Sequence, residues 1–487
     1  MAECILEILD EVNVKIKGLD LTERRDLVNK FKFDIPGAKY LPAVRLGRWD
    51  GKVSFFQLSG STYINLLPEI LEFLDQRGYD IELNDTRTYS TKFDFKQVTQ
   101  DSYKHILWPK GHPIEGQPMA IRDYQVEIIN RFLSNPQCLQ EIATGAGKTV
   151  ITASLSDAVS KYGRSVVIVP NKSLVTQTEK DYVNMGLDVG VYFGDRKEYN
   201  RTHTICTWQS LNNLMKNTKN QEAEITIQEF LEGVVCVIVD EVHMAKADAL
   251  KTLLTGPMAH IPIRWGLTGT IPKEKYEFMS LRCSLGEVIG SLSASTLQDA
   301  GVLAQCHVNI VQLVEYTEYS NYQSELKYLL ESEKRLNYIG KMIKGIADSG
   351  NTLILVDRVA PGKALVELLG DQAVFVSGAT KGTERQEHYD EISTTDNKII
   401  VATYGVAAVG INIPRIFNLV LIEPGKSFVR VIQSIGRGVR KAEDKDFVQI
   451  WDVTSTCKFA KRHLTQRKSF YKEAKYPFAI EKVEYLK

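Results

Sequence analysis

The stretch Gln140-Glu-Ile-Ala-Thr-Gly-Ala-Gly-Lys-Thr149 has the residue types of a phosphate cradle: an apolar strand end, a tight turn and the start of a helix. Gly145 and Gly147, interleaved with Thr144 and Ala146, let the backbone turn so that successive N–H groups point inward at a polyphosphate. The helix that follows adds its positive end. Lys148 is expected to neutralise the β- and γ-phosphates of ATP, and the Thr149 hydroxyl to ligate Mg2+. Ile142 stands where the usual pattern has its first glycine, so the loop alone also fits an ordinary strand–turn–helix corner.

A second run, Val234-Val-Cys-Val-Ile-Val-Asp-Glu-Val-His243, ends a buried apolar segment in two adjacent carboxylates. Asp240 is expected to hold the Mg2+ that Thr149 also contacts, and Glu241 to polarise an attacking water. Upstream, Arg122, Tyr124 and Gln125 are expected beside the adenine. An amide reads a base edge through a donor and an acceptor, and an aromatic ring stacks or packs nearby. Downstream, Gln433-Ser-Ile-Gly-Arg-Gly-Val-Arg440 completes the catalytic set with Gln433, Arg437 and Arg440. The two arginines lie three apart, share one helix face, and fit arginine fingers that stabilise charge on a transferring phosphoryl group. Gly410, in Gly-Ile-Asn-Ile-Pro, opens a loop expected at the nucleotide. Asn171, Lys172, Thr207 and Gln209 in the first half, and Arg358, Ser377 and Thr403 in the second, follow apolar runs and suit sequence-independent phosphate contacts. Thr268 and Thr270, after the apolar run ending at Leu267, are placed to link the nucleotide site to a cleft. Each of these segments alone also fits routine strand-end capping.

Such residues need strands that all end on one side. Apolar runs at 165–169, 203–206, 234–239 and 263–267 alternate with amphipathic segments, and a second series at 352–356, 373–376, 398–402, 418–422 and 447–451 repeats the rhythm. The pattern predicts α/β architecture: two tandem doubly wound parallel-sheet domains, 119–305 with the phosphate loop and 306–456 with the arginines. A small α/β domain, 1–108, precedes them, and the Pro- and Gly-rich stretch 109–118 reads as a linker. Within the leading domain, 40–56 reads as a β-hairpin turning at Asp50-Gly51. Arg45, Arg48, Trp49 and Lys52 there form a nucleic-acid-binding surface or, alternatively, the snorkelling side chains of a solvated hairpin. Residues 457–487 form a basic extension, either a solvated helix face or a nucleic-acid contact.

The 487 residues carry 60 basic and 60 acidic side chains, so no global positive field marks a nucleic-acid binder and any contact is local. Seven scattered cysteines without a C-x-x-C pair argue against a disulfide framework or a zinc site and for a reducing compartment. The acidic N-terminus and the lack of a long apolar run predict a cytoplasmic chain with no membrane segment.

Taken in order, Arg-Asp-Tyr-Gln, Ala-Thr-Gly-Ala-Gly-Lys-Thr, Asp-Glu-Val-His, Leu-Thr-Gly-Thr, Gly-Ile-Asn-Ile-Pro and Gln-Ser-Ile-Gly-Arg-Gly-Val-Arg resemble the motifs of superfamily 2 helicases. That resemblance implies RecA-like domains with ATP between them and, for His243, communication between the nucleotide site and the second domain. Thr268-Gly-Thr270 departs from the commoner Ser-Ala-Thr, and Asn412 from the commoner Asp. The Pro-x-x-Arg-x-Gly-x-Trp-Asp-Gly pattern from Pro42 to Gly51 is similar to the leading domain of the UvsW family, recombination and replication helicases of tailed phages. The likeness implies an ATP-driven motor on branched duplex DNA, forks, junctions and RNA–DNA hybrids in an infected host's cytoplasm, with recombination or single-strand-binding proteins as partners. An RNA helicase, a restriction-type motor subunit, and an ATP-gated clamp or strand-annealing protein are the competing readings.

Overall fold

The computed structural model describes residues 2–87, 92–110, 114–222, 224–244, 247–380, 382–406, 413, 415–426, 435, 442 and 444–486. The chain forms two compact units, Met1–Ile142 with Gly147–Ser291, and Ala143–Ala146 with Leu292–Lys487.

In the first unit, the strands Val189–Phe193, His203–Thr207, Arg164–Val169, Val234–Asp240, Ile263–Thr268 and Gln137–Ile142 lie side by side in that order. All are parallel. The three from His203, Val234 and Ile263 are buried along their whole length, which is why they read as continuous apolar runs rather than alternating ones. Because the strands are parallel, all their carboxyl ends fall on one edge, and the order sets the phosphate loop, Thr268 and the carboxylates after three adjacent strands. Arg264, fully buried in the strand Ile263–Thr268, donates to the carbonyls of Leu254, Met258 and Ser284. One guanidinium thereby satisfies carbonyls at the ends of the helices Ala247–Thr255 and Lys275–Leu285.

The small leading sheet, in the order Ser61–Tyr63, Asn13–Lys17, Ala2–Ile8, Tyr79–Asp85, packs against the helices Leu21–Lys30 and Leu67–Gln76. Ile70 and Leu74 bury the apolar face of the second of these helices. The hairpin predicted over 40–56 does not form. Pro42 sits in the first turn of a short helix, Pro42–Arg45, as its fixed φ favours. The strand Lys52–Ser54 instead pairs with Lys32–Asp34, far outside the predicted hairpin. Of the proposed turn residues only Gly51 is left-handed, at φ 75°.

This leading module has no closed core of its own. Tyr276 and Cys283 of the helix Lys275–Leu285 belong to the same buried cluster as Leu27, Phe55 and Ile70. Lys251 stacks over Phe55 and Tyr63, at 4.4 and 5.5 Å from the ring centres, and Arg282 pairs with Glu69 at 2.6 Å. After leaving the small sheet the chain runs along the helices of the first unit's larger sheet. The Asn130 carboxamide bonds both the N–H and the carbonyl of Val98, each at 2.8 Å. Pro118 then bridges back to Leu107 across the stretch read as a linker.

Among the described residues, the second unit's sheet has seven strands, in the order Ala373–Val376, Ile399–Thr403, Thr352–Val356, Asn418–Ile422, Phe447–Ser455, Gln305–Leu313 and Phe478–Val483, all parallel. The last strand follows the helix Lys458–Glu473, so the basic C-terminal segment is built into the sheet rather than trailing from it. Arg467 on that helix is turned inward, donating to both oxygens of Asp452 at 2.8 and 2.9 Å.

The two sheets repeat one topology. In each, the fourth strand in the orders above is followed at once by a buried glutamate with left-handed backbone, Glu241 at φ 50° and Glu423 at φ 43°. Left-handed backbone is uncommon outside glycine and costs about 1–3 kcal/mol, so both positions are held by their surroundings. Glu423 is held by Arg335 at 2.5 Å, which also donates to Glu315 at 3.2 Å and to the Leu329 carbonyl at 2.9 Å. Burial pushes the Glu423 carboxyl up to about 7 against the pull of Arg335. Removing one member of a buried ion network leaves the others unpaired, at about 3–5 kcal/mol. Arg335→Ala is therefore expected to lower unfolding free energy by that amount in urea titration, and a loss under about 1 kcal/mol would contradict the network's role.

Candidate active site

The glycine loop has the backbone its sequence requires. Gly145 and Gly147 are left-handed, at φ 91° and 80°, and Lys148 begins the helix Lys148–Val159. A Cβ on Gly147 would lie 2.5 Å from Gln125 Nε2, so only glycine allows the carboxamide this close. Gln125 is buried and its Oε1 accepts from the Arg122 N–H at 3.0 Å, while the Arg122 guanidinium donates to the Tyr124 hydroxyl at 2.9 Å. The three residues expected at the adenine thus form one bonded group against the loop. Ile142, the irregular residue of the motif, is the buried last residue of its strand, and its carbonyl accepts from Lys148 Nζ at 3.4 Å.

Lys148 Nζ also meets Glu241 Oε1 at 2.5 Å, with the two side chains only 10% and 9% exposed. The other Glu241 oxygen accepts from the Gly269 N–H at 3.2 Å, and His243 Nδ1 lies 3.6 Å away. Burial raises the Glu241 pKa, but Lys148, His243 and the Gly269 N–H together outweigh it and hold the carboxyl below the ordinary range. For His243 the balance goes the other way, with burial lowering its pKa more than Glu241 raises it. His243 Nδ1 contacts the Thr268 hydroxyl at 2.5 Å, and that hydroxyl donates to the Thr270 carbonyl at 2.8 Å. Glu241, His243, Thr268 and Thr270 form one continuous polar chain. Asp240 ends the strand beside them, buried, with Oδ1 accepting from the Glu241 N–H at 2.9 Å. The Thr149 hydroxyl donates to Asp181 on the helix Lys172–Asn184. A hydroxyl and a carboxylate are hard oxygen donors of the kind that hold Mg2+ together with phosphate oxygens.

Among the residues expected at nucleic acid, Asn171 caps the helix Lys172–Asn184 by accepting from the Leu174 N–H at 3.1 Å. Its Nδ2 is buried without a partner among the described residues. Thr207 caps the helix Trp208–Lys219, and Gln209 reaches the Pro170 carbonyl at 3.5 Å. Lys172 lies over the Phe193 ring. In the second unit, Arg358 bonds Gln323 at 3.3 Å, Ser377 turns through Thr380 and Arg385, and Thr403 closes its strand. Arg45 and Arg48 are exposed, Trp49 Nε1 donates to the Lys52 carbonyl at 2.9 Å, and Lys52 pairs with Asp34 at 3.6 Å. Gln433, Arg437, Arg440, Gly410 and Asn412 lie outside the described residues.

Sequence reasoning missed three contributors. Glu141 bonds the Ile271 N–H at 3.3 Å and the Ser291 hydroxyl at 3.0 Å, tying the loop's strand to the exit of Thr268–Thr270. Gly269 contributes only its backbone, and Asp181 belongs to no motif. The Lys148–Glu241 pair predicts a coupled stability effect. Lys148→Ala leaves a buried unpaired carboxylate and is expected to cost about 3–5 kcal/mol, most of it recovered in Lys148→Ala with Glu241→Ala. Additive losses in denaturant titrations would contradict the pairing.

Three family profiles match in sequence order: "DNA helicase UvsW, N-terminal" over residues 9–84, "Type III restriction enzyme, res subunit" over 118–273 and "Helicase conserved C-terminal domain" over 334–442. The ATP-dependent DNA helicase uvsW of Enterobacteria phage T4 is 25% identical over 470 residues, covering 91% of this chain and 89% of the relative. The structure of the ATP-dependent Type ISP restriction-modification enzyme LlaBIII bound to DNA covers 85% of this chain and 34% of its own, at 15% identity and a TM-score of 0.56. Helicase Lhr of Mycobacterium smegmatis, bound to ssDNA and AMP-PNP, covers 73% of this chain and 48% of its own, at 16% identity and a TM-score of 0.52. These two structures share the fold. Among the described residues, no helix is long and apolar enough to cross a membrane. With a UvsW-type leading module, a phosphate loop facing a buried acidic strand end, and a helicase C-terminal half in that order, the chain is an ATP-hydrolysing superfamily 2 DNA helicase related to UvsW.

Proposed function

We propose that this helicase remodels branched DNA, regressing stalled forks, migrating four-way junctions and unwinding R-loops. The observation that carries the reading is the seat of the leading module. Its core is completed by Tyr276 and Cys283 of the helix Lys275–Leu285, and Lys251 of the helix Ala247–Thr255 lies over its Phe55. Those two helices lie just downstream of Thr268–Thr270 and of the 240–243 carboxylate run. Duplex DNA held by Arg45, Arg48, Trp49 and Lys52 would therefore bear on elements that lead directly into the ATP site.

In this reading Lys148 leaves Glu241 for the β- and γ-phosphates, freeing Glu241 to orient the attacking water. Thr149 and Asp240 hold Mg2+, which would screen the phosphate charge. Gln125 and Tyr124 take the adenine, and Gln433, Arg437 and Arg440 complete the catalytic set, the arginines as fingers. The change at Glu241 passes through His243 to Thr268 and Thr270. Asn171, Lys172, Thr207 and Gln209 in one unit, and Arg358, Ser377 and Thr403 in the other, contact the tracked strand. A restriction-type motor subunit is the second reading, favoured by the res-subunit match over 118–273. The leading module falls outside that match and favours the remodeller.

Steady-state ATP hydrolysis measured with single-stranded, duplex, forked, four-way and RNA–DNA hybrid substrates tests the reading. Forked and four-way DNA are expected to stimulate most, and Glu241→Gln to reduce every rate by about a hundredfold or more. Equal stimulation by unbranched duplex, or turnover persisting in Glu241→Gln, would overturn it.

A further inference from the structure

The second unit carries a groove that Arg358, Ser377 and Thr403 do not line, with one wall built from the basic 457–487 segment. It encloses about 570 Å³ and is lined on one side by Tyr316 and Glu318, which follow the strand Gln305–Leu313, and on the other by Lys458, Lys461, Arg462 and Thr465. The last four belong to the helix Lys458–Glu473, and their spacing of three and four places them along one face of it. All four are exposed, and Tyr316 is 69% exposed, an unusual position for a tyrosine ring with no core to fill.

Three cations face one free carboxylate here. Glu315, the other acid of the lining, is already taken by Arg335, Tyr328 and Tyr485. The helix start adds little, because the buried Glu325 carboxylate accepts from the N–H groups of Phe459 and Ala460 at 3.0 and 2.7 Å. The attraction for an anion therefore comes from the three side chains. They stand along the groove that the exposed Tyr316 also lines, and cations beside an exposed aromatic ring are the combination that holds a phosphodiester backbone and stacks a base.

The groove's place in the sheet supplies the second argument. Because the strands are parallel, residues following Ala373–Val376, Ile399–Thr403, Thr352–Val356, Phe447–Ser455 and Gln305–Leu313 all emerge on one edge. Ser377, Thr403 and Arg358 occupy one half of that edge, and the groove the other. Six strands span roughly 24 Å at the usual spacing. We infer that the groove between Tyr316 and the Lys458–Thr465 helix face is a binding site for single-stranded nucleic acid, extending the strand path along the edge of the second sheet, with the phosphates on Lys458, Lys461 and Arg462 and a base on Tyr316. This rests on the nucleic-acid motor reading above.

Binding of a fluorescent single-stranded oligonucleotide by anisotropy, over a series of salt concentrations, tests it on the full chain. Removing all three cations as Lys458→Ala, Lys461→Ala and Arg462→Ala is expected to weaken binding about tenfold or more and to flatten the slope of log affinity against log salt by about 2. Tyr316→Ala should weaken binding about fivefold or more without changing that slope. Glu318→Lys should strengthen binding, a gain that no folding defect produces. Unfolding curves matching wild type and unchanged ATP affinity would locate the effect in the groove. Unchanged affinity and slope in the triple variant, with wild type still stimulated by DNA, overturns the groove and leaves the motor reading standing. Wild type that no nucleic acid stimulates overturns the motor reading itself.

Discussion

A buried ammonium cannot stand without a counter-charge, and in this helicase the whole nucleotide edge of the first sheet is arranged around that fact. Lys148 begins the helix after the glycine loop, with Glu241 as its partner. Glu241 in turn has left-handed backbone, a Gly269 N–H on its second oxygen and His243 beside it. The pair therefore fixes the loop, the acidic strand end and the Thr268–Thr270 segment with respect to one another before any nucleotide arrives. In the proposed function, a polyphosphate that takes Lys148 would remove the partner of a buried carboxylate, and the polar chain from Glu241 to Thr270 would rearrange. Energy from ligand binding would then enter the protein at a named bond.

The second unit shows what becomes of the same corner without a glycine loop. Glu423 keeps the position and the backbone of Glu241, but its cation is Arg335, held by a second glutamate and a carbonyl, fully buried. Five donors in a rigid fork fill the place and leave nothing to exchange. One repeat thus holds a buried lysine–glutamate pair, and the other a buried guanidinium network. The leading module adds a third level, since its core closes on the helix that follows Thr268–Thr270 rather than on itself.

Much of this was legible in the sequence. The strands Thr352–Val356, Ala373–Val376 and Asn418–Ile422 match their predicted bounds, and the first and third, buried along their whole length, leave the continuous apolar runs that such strands show. The strand–glycine–helix corner at 142–148 and the acidic strand end at 240–241 were legible as elements for a similar reason, since each carries a fixed pattern of residue types. The hairpin was misread because Asp50-Gly51 is a local signal, whereas the partner of Lys52–Ser54 lies back at Lys32–Asp34. Charges were least legible. Arg335, Glu315, Arg467 and Asp452 look like any surface residues in the sequence, and only the fold reveals that they neutralise one another inside the protein. Asp181 and Glu141 were hidden likewise, as single acids whose partners stand on other elements.

The claim on which the account turns is that Glu241 and the nucleotide compete for Lys148. Equilibrium titration of a fluorescent, slowly hydrolysed ATP analogue against wild type and Glu241→Gln tests it directly. Releasing Lys148 from a charged partner predicts tighter binding by the variant, by about fivefold for about 1 kcal/mol of relieved competition. Weaker binding by Glu241→Gln would mean that the carboxylate supports the nucleotide rather than opposing it, and would contradict the exchange.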